Sequence, residues 1–474
     1  MDRVNRGKRR LQDTLVATLT FSSMLLILSV WLRLSQGTVF WAYSVSTTGF
    51  VVFMYLATMT YKPEEDSGFR PLITVVIPAK NEENAIEPVI RTVFNSDYPN
   101  SRMEVIVVDD GSTDGTWDRI QKAKADLGFP DRLTTIKHER NYGKRVALAS
   151  AVTRARGEII VCIDSDSFVD RDAIKLLVQP FRDNKVAAVS GHGEAVNKDE
   201  GILPRLQHYW YAETFRLMKG MESRLGCVSC CSGMLAAYRR STIMPVINEW
   251  LKEKSGWRPL IALGVKRDGT KLDRGLWGKL LKSPGEDRIL TAFALSTKNS
   301  KTVYQSNAVV YTLVPKTFKQ FLKQQLRWNR AWIHGSLLAS TFMWKKPALS
   351  SFIFYLHQFI TYLSPVVLVW WLVVEPVNGL WMGTLGFVAG TSFVGFLHGL
   401  NTWKYLGGRV ESIPCRMMFV FLSFFLTLTV LLYGWATPWK MSWVTRTEKE
   451  LLPLVSPRVA PIPIVAQSSS SLGE

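Results

Sequence analysis

The chain has 474 residues and a net charge of +19, 47% of its residues are hydrophobic and its mean hydropathy is +0.06. That length holds one substantial globular domain plus extras, but the apolar excess is concentrated at the two ends, which excludes an ordinary soluble enzyme. The basic excess does not require nucleic acid, because charge on the cytosolic faces of a membrane protein reflects topology and anionic lipid or substrate.

Residues 14–32 carry no charge, and after Arg33 neither do residues 34–61. Near the other end, residues 347–374, 377–403 and 417–439 contain no Asp, Glu, Lys or Arg. Each stretch is long enough to cross a hydrocarbon core of ~30 Å as a helix, which takes about 20 residues, so five spans are predicted. The alternative for the first is a cleaved signal peptide, but no small-x-small cleavage site follows it and a second span comes at once. Five Lys/Arg in the first ten residues place the N-terminus in the cytoplasm. Two crossings then return the chain there, and residues 62–346 are expected to be cytosolic. Five spans would leave Trp443 to Arg446 outside the cell, whereas Lys440, Arg446 and Lys449 favour the inside, so a sixth crossing is admitted. The Pro- and Ser-rich end, 455–474, reads as disordered.

From Pro71 short β-branched runs alternate with amphipathic stretches. Residues 73–77, 105–108, 133–137, 158–163 and 186–190 read as buried strands of an α/β domain, doubly wound around a mostly parallel sheet. Ligands of such sheets bind beyond the carboxyl ends of the strands. There the sequence places PAKNEE after the first strand, DDGSTDGT after the second and DSDS after the fourth.

In extended chain Asp164 and Asp166 point the same way, so both can face one divalent cation; a solvated loop cap is the alternative. Asp109 and Asp110 form a second acidic pair at a neighbouring strand end. Two such pairs side by side call for compensation, and a metal-bound diphosphate supplies it, with Mn²⁺ or Mg²⁺ between carboxylate and phosphate oxygens. Lys144 and Arg145, expected at the end of another strand, would neutralise remaining phosphate charge. No GxxxxGK[ST] and no GxGxxG after a strand is present, which removes the commonest ATPase and dehydrogenase readings. Asp287, in Gly285-Glu286-Asp287-Arg288, is either a general base for an attacking hydroxyl or the cap of a helix through 289–294. Cys227, Cys230 and Cys231 lack a second pair or a nearby His to complete a zinc set and read as buried or site-lining thiols. Gln324, Arg327 and Trp328 share one side of a helix, as packing or as a binding floor for something anionic and flat. Apolar residues in helical register over 204–225, and again around 318–332, read as core packing or as amphipathic helices in the membrane interface.

The order VVDDGSTDGT, NYGKR, DSDS, CCSGMLAAYRR, GEDRILT, QQLRW, flanked by spans, resembles the processive family 2 glycosyltransferases: hyaluronan, chitin, nodulation-type chitin-oligosaccharide and cellulose synthases. The resemblance is dense from about Pro71 to Trp332. It implies a GT-A-like domain in which Asp110 contacts uridine, Lys144 and Arg145 the nucleotide region, Asp164 the UDP-sugar and Asp166 the Mn²⁺ or Mg²⁺. Asp287 would be the base, Arg327 would bind the diphosphate, and Gln324 and Trp328 the acceptor sugar. QQLRW and CCSG resemble the hyaluronan and nodulation-type synthases more than cellulose synthases, GEDR looks more like chitin synthases, and Trp443 to Arg446 resembles a segment after the last span of hyaluronan synthases.

The implied donor is UDP-GlcNAc, joined by UDP-GlcA if the polymer is hyaluronan-like, and the implied partners are the growing polysaccharide and the bilayer, with no nucleic acid and no specified oligomeric state. The expected organisation is two spans in 1–61, the cytosolic domain in 62–315, an interfacial helix carrying QxxRW in 316–346, further spans in 347–439 and a tail in 440–474. The protein would be a multi-pass protein of the plasma membrane.

Overall fold

The computed structural model describes residues 38–127, 130–254, 285–405 and 408–438. The strands are β1 (Ile73–Ala79), β2 (Met103–Asp109), β3 (Leu133–Lys137), β4 (Ile159–Ile163), β5 (Ser167–Val169), β6 (Val186–Ala195), β7 (Leu235–Arg239) and β8 (Lys301–Thr312). Between them run α2 (Ile86–Phe94), α3 (Thr116–Asp126), α4 (Lys144–Val152), α5 (Ala173–Leu177), α6 (Ile202–Thr214), α7 (Gly220–Arg224), α8 (Arg240–Lys254) and α9 (Glu286–Ser296). Helix α1 (Thr38–Met59) precedes the domain; α10 (Phe318–Ser340), α11 (Ala348–Val369), α12 (Trp381–Tyr405) and α13 (Ser412–Leu426) follow it.

One eight-stranded sheet runs in the order β3-β2-β1-β4-β7-β6-β8-β5. β1 pairs in parallel with β2 and β4, and β2 with β3, as the apolar runs predict, and β6 pairs in parallel with β8, a strand those runs did not include. β7 and β5 run antiparallel to their neighbours, so the sheet is mixed. β1 and β2 are buried on both faces, which is why they read as continuous apolar runs. Ile73, Val75 and Ile77 pack with Ile86, Val89 and Ile90 of α2, while Val76 faces Ala147, Leu148 and Ala151 of α4. Each fully buried valine or isoleucine contributes about 1.5–3 kcal/mol.

This winding brings the loops after β1 and β2 together, where they interlock. The Asn81 carboxamide accepts from Thr113 N at 2.9 Å, Glu82 N donates to Thr116 Oγ1 at 2.8 Å, and Lys80 Nζ donates to the Gly111 carbonyl.

Four helical segments are long and apolar enough to cross a membrane: Phe40–Met59, Ala348–Val377, Trp381–Trp403 and Ser412–Ala436. They match four of the five predicted stretches; residues 14–32, like Trp443 to Arg446 and the rest of the tail, lie outside the described residues. α12 and α13 approach closely at Gly395 and Gly399, where an added Cβ would lie 2.8 Å from Val420 and 2.5 Å from Ile413, the small-residue contact favoured between membrane helices. The apolar face over 204–225 is α6, a five-residue π turn (Phe215–Lys219) and α7. Leu217 and Met221 from this segment pack with Phe50, Met54, Ile353 and Leu397 of the spans. The domain is therefore seated on the spans through the very segment that leads into the Cys227–Gly233 loop.

Gly111 holds φ at +67°, and an added Cβ would sit 2.5 Å from the backbone carbonyl carbon of Arg140. Gly111→Ala should destabilise the domain by about 1–3 kcal/mol, read as a lowered thermal midpoint; an unchanged midpoint would show that the interlocked loops relax freely.

Candidate active site

The site is built where β4, α4 and α9 converge. Asp164 follows the last residue of β4, and Lys144 opens α4. Sequence reasoning put Lys144 and Arg145 at a strand end; instead β3 stops at Lys137, and Gly143, with φ +94°, turns the chain so that both begin a helix. Lys144 Nζ lies 2.6 Å from Asp164 Oδ1 and 2.6 Å from Glu286 Oε1. Gly233 closes over the pair: a Cβ there would be 3.2 Å from Lys144 Nζ and 3.3 Å from Asp164 Oδ1.

Burial works against the Lys144 charge, but the two carboxylates outweigh it and raise its pKa. Burial likewise raises the pKa of Asp164, and the Asp166 charge adds to the rise against the pull of Lys144. For Glu286 burial is overcome by Lys144, with a smaller pull from Arg327, and its pKa falls to about 2. Lys144 is thus shared at equal distance between Glu286 and Asp164. The Asp164 side chain is 28% exposed, and its carboxylate, with that of Asp166 two residues on, offers the hard oxygen donors a divalent cation takes. Among the described residues no cluster of three or more His, Cys, Asp or Glu side chains could hold a metal ion.

Asp287 is the second residue of α9, whose N-cap is Gly285, so it does not cap that helix. Its Oδ1 accepts from Arg288 N at 2.8 Å, and Oδ2 faces the Cys230 thiol at 3.6 Å. Burial, with the Asp287 charge next, pushes the Cys230 pKa up to about 12, so the thiol stays protonated and points a weak donor at the carboxylate. Lys144, Asp164, Gly233, Tyr238, Glu286 and Asp287 line one cleft.

α10 packs against α9 beside this cleft. Gly285, with φ +130°, would bring a Cβ 2.9 Å from that of Ala331, and a Cβ on Gly335 would meet Arg288 Cδ at 3.0 Å. Arg327, Ala331 and Gly335 recur at helical spacing, so the side of α10 that carries QQLRW is the side pressed on α9. Gln324 is 8% exposed and its Oε1 has no partner among the described residues, nor has Arg327 Nε. Trp328 lies against Trp210 and Tyr211, with ring centroids 6.1 and 6.0 Å apart.

Asp110 sits apart from the cleft. It is fully buried and accepts from His138 Nδ1 at 2.7 Å, Tyr142 N at 3.0 Å and Gly143 N at 2.7 Å, which ties the β2 end to the turn that presents Lys144. Beside it, Asp109 Oδ2 is buried with no hydrogen-bond partner among the described residues. Arg145 is half-buried, the residue after Lys144 in α4. Sequence reasoning missed Glu286, masked by its neighbour Asp287, together with His138 and Gly233. A lysine set beside one Asp of a DSD calls for a second carboxylate, and that was the available signal for Glu286.

Residues 74–246 match the family described as glycosyl transferase family 2. This stretch is a family 2 glycosyl transferase domain. An N-acetylglucosaminyltransferase of Rhizobium meliloti (strain 1021) is 32% identical to the chain over 272 residues, 57% of this chain and 57% of that protein. A hyaluronan synthase of Streptococcus pyogenes serotype M6 is 28% identical over 330 residues, 68% of this chain and 72% of the relative. The chain thus spans little more than half of the first relative and under three quarters of the second. Among solved structures, the mannosyltransferase PcManGT from Pyrobaculum calidifontis, in complex with GDP-Man and Mn²⁺, superposes with a TM-score of 0.54 at 20% identity, covering 84% of this chain and 96% of that one. The transferase domain has the GT-A-like fold expected from its motifs.

The depressed pKa of Glu286 yields a pH signature. Its ion pair contributes stability above the ordinary value of 4.5, and that contribution is lost as pH falls toward about 2. Glu286→Gln should therefore be less stable than wild type at neutral pH, with the difference in thermal midpoint closing between pH 4.5 and about 2. A difference constant across that range would mean that Glu286 is not ion-paired to Lys144.

Proposed function

We propose that the protein is a membrane-embedded, inverting, processive glycosyltransferase. It would polymerise UDP-GlcNAc with UDP-GlcA into a β-linked, hyaluronan-like polysaccharide and pass the product across the membrane. The observation that carries this reading is the placement of Asp287 beside the Lys144–Asp164–Glu286 cluster and against the helix of QQLRW, which is itself seated on the spans.

In this reading the donor diphosphate lies at Asp164, Asp166 and Lys144, with the Arg327 guanidinium, whose planar fork suits phosphate oxygens, on its other side. Asp164 and Asp166 would hold Mn²⁺ or Mg²⁺, which when bound offsets the charge of the leaving diphosphate. Trp328 offers an indole face to the acceptor sugar, and Gln324 its unpartnered carbonyl. Asp287 takes the proton of the acceptor hydroxyl as that oxygen bonds to the anomeric carbon and the bond to the diphosphate oxygen breaks. Attack opposite the leaving group turns an α-linked donor into a β-glycoside. Asp110 acts in the nucleotide region by holding the turn before Lys144 and Arg145.

Translocation is supported by a cavity of about 350 Å³ among the spans, lined by Trp210, His398, Arg416 and Phe419. Trp210 stands between that cavity and Trp328. The basic N-terminal stretch supports a cytoplasmic transferase domain in a plasma membrane. A second reading, synthesis of a chitin-like chain from UDP-GlcNAc alone, is favoured by the likeness to the Rhizobium protein.

The test supplies the purified chain in nanodiscs with UDP-GlcNAc alone or with UDP-GlcA, measures UDP release and digests the product with hyaluronidase or chitinase. We expect a hyaluronidase-sensitive polymer only when both donors are present, and loss of transfer in EDTA that added Mn²⁺ or Mg²⁺ restores. A chitinase-sensitive product from UDP-GlcNAc alone would establish the second reading, and full activity in EDTA would contradict the role of Asp164 and Asp166.

A further inference from the structure

Glu213, near the C-terminal end of α6, is 3% exposed. Its carboxylate is ion-paired to Arg416 of α13 and touches His398 Nδ1 of α12. His398 also bonds the Tyr55 hydroxyl of α1 at 2.7 Å, and the two rings stack at 5.7 Å. Two apolar helices, α12 and α13, therefore meet one carboxylate of the transferase domain, and α1 joins them through His398. Burial disfavours the Glu213 charge, but Arg416 and His398 reverse the balance and hold its pKa below the ordinary value.

Such a cluster is a poor way to gain stability, since well-packed apolar groups of the same volume often do as well. What it supplies is register. One turn before Glu213, Trp210 stacks on Phe419 at 4.7 Å and 21°, and Phe419 lies one turn after Arg416. Two contacts a turn apart, one ionic and one aromatic, fix both the height and the rotation of α6 against α13. On the other side Trp210 and Tyr211 abut Trp328.

Resting on the function proposed above, we infer that Glu213 is a positioning residue that locks α6 to the spans and holds Trp210 and Tyr211 against Trp328, so that the saccharide stays seated between additions. It touches neither donor nor reacting atoms. Its loss acts on retention of the chain rather than on the chemical step.

The test compares wild type with Glu213→Gln, Glu213→Asp and Glu213→Gln/Arg416→Met, all as the purified full chain in nanodiscs with UDP-GlcNAc and UDP-GlcA. The double variant leaves no unpaired buried arginine, which would otherwise threaten folding. We expect mean product length to fall by about three- to tenfold in Glu213→Gln and in the double variant, with UDP release by Glu213→Gln changed by less than about twofold and length recovered in Glu213→Asp. Wild-type product length in the double variant, or UDP release falling in step with length, overturns the inference. Failure of the wild type to transfer sugar at all removes the functional reading and this inference with it.

Discussion

One ammonium group organises the site. Lys144 Nζ lies 2.6 Å from carboxylates contributed by the end of β4 and by the start of α9, segments more than a hundred residues apart in the chain. A buried lysine held between two acids is costly to break, because removing either partner leaves a charge with nothing to balance it. The β4 loop, the turn before α4 and the first turn of α9 are therefore held in one arrangement.

That constraint extends toward the membrane through close helix contacts. Gly285 and Gly335 let α9 and α10 approach until a methyl group at either would collide with Ala331 or Arg288. α10 packs in turn on the last spans, with Phe321 among Leu426 and Val430. A shift of the spans would move α10, and α10 cannot move far without moving Glu286 and Asp287. The ion cluster at Glu213 does the same for α6. The transferase domain and the membrane helices thus meet at two registers on either side of Trp328.

Much of this was legible in the sequence, for reasons that differ by element. β1, β2 and β4 stood out because burial on both faces gives unbroken apolar runs. β8 did not, since KTVYQSNAVVYT mixes polar with apolar residues, some of them half-buried, and β7 is alanine-rich and too short to signal its direction. Asp164 and Asp287 stood out as acidic positions in the sequence, and the fold brings both to one cleft. Glu286 did not stand out, because it adjoins Asp287, yet about 100° of helix rotation between neighbours sends one carboxylate to Lys144 and the other to Cys230. Asp110 illustrates the reverse. Its acidity was plain, but backbone amides that only the folded turn brings near occupy its oxygens.

In the proposed function the Lys144 cluster and Arg327 would hold the nucleotide, while Asp287 and Trp328 would act on the acceptor. Equilibrium UDP binding measured beside sugar transfer, in Asp287→Asn and Trp328→Ala, tests that division most directly. The account predicts that both variants bind UDP about as tightly as wild type, while transfer falls by a factor on the order of 10² to 10⁴ in Asp287→Asn and acceptor extension fails in Trp328→Ala. UDP affinity falling in parallel with transfer in both would contradict it, and would make Asp287 and Trp328 parts of the scaffold.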